Sequence, residues 1–488
     1  MSGMGREVSD ADRTGPGGAS TTDVTALTLA EASGAVRTGR LSPVDLTRAC
    51  LTRIRDLNAT LNAFITITDE EALAAAREAE REIGRGQWRG PLHGIPIALK
   101  DLLDTAGVPT TGASQLFADR VPSEDAEVVR RLRSAGAVIL GKLNLHEFAF
   151  GATGTVSAFG GVRNPRALDR VAGGSSSGAG AAVAACLCFG AIGTDTGGSI
   201  REPAALCGIV GLKPTYGRVS SRGVIPLSPS LDHVGPMTRT VADAGLMLQV
   251  IAGYDAGDPA SADVPVPDYT AARDEGVSPV RIGVPRALFF DALDPEVQAA
   301  MASALAVLAG LTAGLRDVGP LATGDDYTSV LDPYKYVISA EAYAWHREYV
   351  ERTPELYQPD TLKRIRAGAK VTPEVYSRAR RQLEEVRRAA GQWFDGVDLL
   401  VTPTSPIPAP TIAELSDPQV HRAAEGALLR NTRIFNALGL PAVSVPCGET
   451  VGGLPVGLQI TGPPWSEAVL LRLAHAYERE TARRRPGS

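Results

Sequence analysis

Three short segments of this chain carry residues able to do chemistry. In HGIPIALKD, Lys100 ends an apolar run, Ile95-Pro96-Ile97-Ala98-Leu99. GGSSSG (173–178) sets Ser175, Ser176 and Ser177 between glycines, and DTGGSIR (195–201) places Ser199 directly behind Gly197 and Gly198. A serine hydroxyl is a weak nucleophile until a base takes its proton. A lysine is such a base only when neutral, and burial disfavours the ammonium, drawing its pKa down from about 10.4. The apolar run before Lys100 predicts that burial. Glycines before Ser199 let several main-chain N–H groups converge on one point. Convergent donors are what an oxyanion needs as charge develops on an attacked carbonyl. The pattern therefore reads as a serine nucleophile served by a buried lysine, with a second serine between them to pass the proton.

The same residues admit other readings. Gly174-Ser175-Ser176-Ser177-Gly178 matches the G-x-S-x-G elbow of α/β-hydrolases, but that elbow needs a buried strand before its serine. The preceding RNPRALDRVAG is polar and contains proline, and none of the six histidines sits in a telling motif. Taken singly, each residue also has an ordinary structural role. A lysine at a strand end is usually solvated, Ser175 to Ser177 could cap a helix over 179–189, and Asp195 with Arg201 could form a structural ion pair. Cys207, within PAALCGIVGLK, reads as core rather than as a thiol nucleophile.

The elements around these residues alternate between strand and helix, the signature of an α/β sheet. Ser42-Pro43 predicts a capped helix start. Helices are expected at Glu70–Ile83, near Asp125–Ser134, and at 295–311, 341–395 and 466–483. Strands are expected at 95–99, 137–142, 280–286 and 398 onward, and at PAVSVPCG and LPVGLQITG. Gly178–Gly193 is too short and too rich in Gly and Ala for a membrane span and reads as a buried helix running into a strand. Residues 1–24 read as a disordered leader without the apolar stretch of a secretory signal, with Met4 as an alternative start. Residues 25–485 read as one domain. The formal net charge is −6, opposite in sign to that of a general nucleic-acid binder. Five cysteines without a CxxC pair argue against a disulfide framework or zinc site and point to a reducing cytoplasm.

Together, GGSSSG, DTGGSIREPA and CGIVGLKPTYGRVS with the upstream GIPIALKD resemble the amidase signature family. The segments NLHEFAFG, VRNP, SLDHVGPMTRTV, LLVTPTSPIPAP and LPVGLQITGP extend the likeness over roughly residues 25–485. The resemblance implies a single α/β/α domain with a large twisted mixed sheet flanked by helices. It also implies a Ser–cis-Ser–Lys catalytic set. On the matching positions, Ser199 is the acylated nucleophile, Ser175 the bridging serine behind a cis peptide bond, and Lys100 the base. Thr196, Gly197, Gly198 and Ser199 supply oxyanion N–H groups, Ala149 contacts substrate, and Ser176, Asp195 and Arg201 give supporting hydrogen bonds. The implied activity is hydrolysis of a small-molecule carboxylic amide, with esters and carbamates open to the same site. No metal or organic cofactor, nucleic acid or membrane is implied, and a homodimer is expected. The alternative branch is the glutaminase component of glutamyl-tRNA(Gln) amidotransferase; the 333–365 segment looks more like the stand-alone amidases. Specificity is expected from about 320–440, where Tyr327, Tyr334, Tyr336, Tyr343 and Trp345 either line an acyl pocket or belong to helix core.

Overall fold

The computed structural model describes residues 23–271, 275–319 and 327–483. Nearly all of the predicted leader therefore lies outside the described residues. Thirteen strands run along the described residues: β1 Phe64–Ile67, β2 Pro96–Lys100, β3 Val138–Leu143, β4 Arg163–Asn164, β5 Ala167–Val171, β6 Gly190–Asp195 and β7 Val210–Lys213. They continue with β8 His233–Thr238, β9 Ile282–Pro285, β10 Leu315–Val318, β11 Leu399–Pro403, β12 Ala442–Glu449 and β13 Pro455–Thr461. Eleven form one mixed sheet in the order β1-β3-β2-β6-β8-β7-β12-β13-β11-β9-β10, while β4 and β5 make a separate hairpin. Helices flank the large sheet, so the mixed α/β architecture is the one the motifs imply.

Strand β2 sits between β3 and β6 and pairs parallel with both. All three strands are buried along their whole length, as parallel strands covered on both faces are. Ile97 faces Gly190 and Leu99 faces Ile192 across the β2–β6 ladder. That register brings the carboxyl ends of both strands, Lys100 on one and Thr194 and Asp195 on the other, to the same edge. Ligand crevices in open α/β sheets lie outside such strand ends.

Several predicted boundaries recur. The Ser42 hydroxyl accepts from Val44 N and Asp45 N at the start of helix Pro43–Leu61. The helix expected over 179–189 is shorter, Ser177–Ala184, because the chain turns through positive φ at Cys186 before β6 begins. None of the serine hydroxyls of 175–177 caps this helix, and Ser176 at the cap position bonds into β6 instead. Gly178 is required here, because a methyl at that position would collide with the main chain of Ala63 and Asn144. All five cysteines are free thiols. Cys207 is buried in core, where its Sγ donates to Ala172 O at 3.3 Å and burial pushes the thiol pKa up. Among the described residues no helix is long and apolar enough to cross a membrane.

Candidate active site

Lys100 is fully buried, with a relative exposure of 0%. Its Nζ donates to Ser175 Oγ at 2.7 Å and to Thr194 Oγ1 at 2.8 Å. Burial draws its pKa down to about 7, against the opposing pull of the Asp195 and Asp232 charges. Desolvation of the ammonium is thus the dominant influence, as the apolar strand predicts. Thr194 has no sequence signal that marks it as a partner. Only the β2–β6 register reveals it, since its hydroxyl reaches Lys100 across a strand boundary.

Ser175 lies in a tight loop between β5 and helix Ser177–Ala184. The Gly174–Ser175 peptide bond is cis. Gly174 N donates to Glu202 Oε2 at 2.8 Å, and Ser175 O accepts from His146 N at 3.1 Å. Ser176 links the loop to β6 and to the turn that carries Ser199: its Oγ donates to Thr194 O at 3.1 Å, and its N donates to Ser199 O at 3.2 Å. This main-chain bond keeps Ser199 beside the lysine–serine pair. Ser199 is 4% exposed, and its Oγ makes no hydrogen bond among the described residues.

The turn that carries Ser199 is shaped by one carboxylate. Asp195 accepts from Gly198 N at 2.7 Å, Ile200 N at 3.1 Å and Arg201 N at 3.4 Å. Arg201 clasps it through Nε at 3.0 Å and Nη2 at 2.9 Å, and Asn436 Nδ2 adds a bond at 2.8 Å. Burial alone would raise the Asp195 pKa, but the Arg201 charge and these hydrogen bonds outweigh it and hold the carboxyl below the usual range. The arginine in turn meets Gln459 Oε1 at 2.7 Å, Asn436 Oδ1 at 2.6 Å and Thr432 O at 3.2 Å. A buried ion pair with every donor engaged is a rigid support.

This support engages one of the four N–H groups expected at an oxyanion. Gly198 N points onto Asp195, whereas the amides of Thr196, Gly197 and Ser199 make no hydrogen bond among the described residues. Gly198 has φ +140, and a methyl there would run into the Thr432 hydroxyl. Carbonyls on the far side of the turn are also held. Tyr334 Oη donates to Thr196 O at 3.3 Å, and Thr432 Oγ1 donates to Gly197 O at 2.6 Å. Thr196 Oγ1 donates to Asp232 Oδ1 at 2.6 Å. Burial raises Asp232 to about 7 despite the bonds it accepts from Thr196, Ser228 N and Leu227 N.

A cavity of about 450 Å³ opens on Ser199, with Ala149, Thr196 and Gly197 in its wall. Ala149 sits at φ +60 with its side chain 4% exposed. Of the five aromatic residues expected in the specificity segment, Tyr334 alone borders this cavity. Tyr327 is buried against Phe289 and Trp393, and Trp345 belongs to a cluster with Phe117, Phe148 and His346. Tyr336 is exposed, and Tyr343 packs against the same aromatic cluster. Asp232 and Gln459 join the site from the segments SLDHVGPMTRTV and LPVGLQITGP, which the resemblance includes without giving either residue a role, and Thr432 and Asn436 join it from outside every segment that carries the resemblance.

The Amidase family model matches residues 45–471. An amidase of Pseudomonas putida is 43% identical over 468 residues, which cover 94% of this chain and 97% of that protein. A glutamyl-tRNA(Gln) amidotransferase component of Chloroflexus aggregans is 42% identical over 480 residues, covering 94% and 97%. Among solved structures, the peptide amidase of Stenotrophomonas maltophilia superposes with a TM-score of 0.81 at 34% identity, covering 95% of this chain and 98% of that one.

Proposed function

The chain belongs to the amidase family, whose membership and fold support hydrolysis of carbon–nitrogen amide bonds, and from that premise we propose that it works through Ser199, Ser175 and Lys100. One observation carries this reading: a fully buried lysine with its pKa lowered to about 7, bonded at 2.7 Å to Ser175 Oγ beside the Ser199 turn. Neutral Lys100 takes a proton from Ser175 as Ser175 takes one from Ser199. The Ser199 Oγ bonds to the amide carbon, and the carbonyl oxygen becomes an oxyanion facing the open N–H groups of Thr196, Gly197 and Ser199. The C–N bond then breaks as the protonated lysine returns a proton through Ser175 to the departing nitrogen, without which an amine is a poor leaving group. Water attacks the acyl-enzyme by the same relay, releasing the acid and restoring Ser199. The scheme needs the Ser199 hydroxyl to bond to Ser175, and catalytic hydrogen bonds often tighten only once substrate is bound.

A second reading has a specific observation behind it. This chain is nearly equally similar to the amidase and to the amidotransferase component, at 43% and 42% identity. In that second reading the same residues release ammonia from glutamine for a partner protein. A hydrolysis panel of aryl amides, short aliphatic amides, carbamates and glutamine separates the two. Turnover of non-glutamine amides by the purified chain supports the stand-alone amidase. Activity confined to glutamine and dependent on partner proteins supports the other.

A further inference from the structure

The cavity beside Ser199 holds more positive charge than its acidic residues offset. Arg364 is accounted for: its guanidinium pairs with Asp360 at 2.6 Å and with Glu425, and donates to Phe150 O. Arg433 differs. Its stem passes the nucleophile turn, since a methyl on Gly197 would lie 3.5 Å from Arg433 Cγ and 2.6 Å from Tyr334 Oη. Its guanidinium makes one long bond, to the main-chain O of Glu425 at 3.4 Å, and no ion pair among the described residues. Lys335, on helix Thr328–Arg352, lines the same cavity and likewise forms no ion pair among the described residues. Asp332 is the only acidic residue among the described residues of that lining.

A second cavity of about 710 Å³ shares Arg364, Ala367 and Arg433 with the first and adds Lys363 and Arg422 to its wall. Its acids, Asp360 and Glu425, are those already engaged by Arg364. This local excess of cations stands in a chain of formal net charge −6. The wall of the first cavity also carries the apolar side chains of Leu227, Leu331, Ile338 and Leu429. A guanidinium presents a planar fork that matches a carboxylate bidentately. We infer that the substrate of this site is an amide that also bears a carboxylate, separated from the scissile bond by an apolar spacer. Arg433 receives the carboxylate, Lys335 adds its charge, and the amide carbonyl lies at Ser199. The inference rests on the catalytic reading above and adds the substrate class to it.

The test uses the full chain and two series of acyl p-nitroanilides of matched length, one ending in a carboxylate and the other in a methyl group. A charge-assisted pair of this kind favours the acid member of at least one length roughly 10- to 100-fold in kcat/KM. Arg433→Glu reverses the preference, and Lys335→Glu, at an exposed position less able to disturb folding, reduces it. A preference for the methyl member at every length overturns the inference, as does an acid preference that Arg433→Glu leaves untouched. Absence of turnover in both series, with Ser199 still labelled by a fluorophosphonate, overturns it as well. Turnover that survives Ser199→Ala instead overturns the catalytic reading on which it stands.

Discussion

Replacing Lys100 by methionine removes the proposed base and relieves a pH-dependent strain on the fold. The lysine pKa is lowered from 10.5 to about 7 by burial. Between those values the unfolded chain binds a proton that the folded chain rejects, so wild-type stability rises with pH across this window. At about 1.4 kcal/mol per tenfold, the gap from 10.5 to about 7 costs the folded state about 5 kcal/mol at pH 6. At pH 9 the remaining preference of the unfolded ammonium is worth only about 2 kcal/mol. Methionine fills a similar volume and carries no charge. It leaves Ser175 Oγ and Thr194 Oγ1 without their donor, a cost of about 1–3 kcal/mol that does not vary with pH. The stability of Lys100→Met relative to wild type is therefore expected to be more favourable at pH 6 than at pH 9 by about 3 kcal/mol. Urea unfolding of both proteins at the two pH values measures this, and groups common to both cancel in the difference. An equal difference at pH 6 and pH 9, or a larger one at pH 9, would refute the claim that the ammonium is penalised by burial.

Ser199→Ala is expected to lower turnover by at least about 10⁴-fold, as removal of a nucleophile does, with an unchanged circular dichroism spectrum; steady-state kinetics on any accepted amide checks this. Gly198→Ala pushes a methyl against the Thr432 hydroxyl from a backbone angle that suits glycine. It should depress kcat far more than it shifts the melting temperature, and equal loss in both would mean that the turn has no special role. Asp195→Asn leaves Arg201 as an uncompensated buried charge, so thermal or chemical unfolding should show a loss of about 3–5 kcal/mol. Asp232→Asn removes a charge that raises the Lys100 pKa, so the rising limb of the pH–rate profile should move to lower pH; movement to higher pH would contradict the assigned direction.

The residues proposed for chemistry are legible because each sits in a compact local pattern. An apolar strand ends at Lys100, and two glycine-framed serines stand at turns. What these residues touch is less legible. Thr194 meets Lys100 only through strand register, and Asn436 and Gln459 reach Arg201 across more than 200 residues of sequence. No local pattern encodes such contacts. The use of the Gly198 N–H by Asp195 depends on the turn's three-dimensional course. Among the elements, helix Pro295–Leu311 and strand β3 fall close to their sequence limits, the helix because Asp294 and Pro295 mark its start and the strand because it opens on the apolar run Val138-Ile139-Leu140. Strand β8, HVGPMT, carries no strand signal of its own: its glycine and interior proline are poor strand formers, and its pairing with β6 and β7 supplies what propensity lacks. The tyrosines of the specificity segment cannot be sorted by type alone, since core and cavity walls both favour aromatic side chains.

The pH dependence of Ser199 phosphonylation by an uncharged fluorophosphonate, in wild type and in Lys100→Ala, tests the account at its centre. The rate in wild type should rise through a limb near pH 7, where the buried lysine loses its proton, and peptide mapping should place the adduct on Ser199. That limb should vanish in Lys100→Ala. An adduct on another residue, or the same limb without the lysine, would contradict the account.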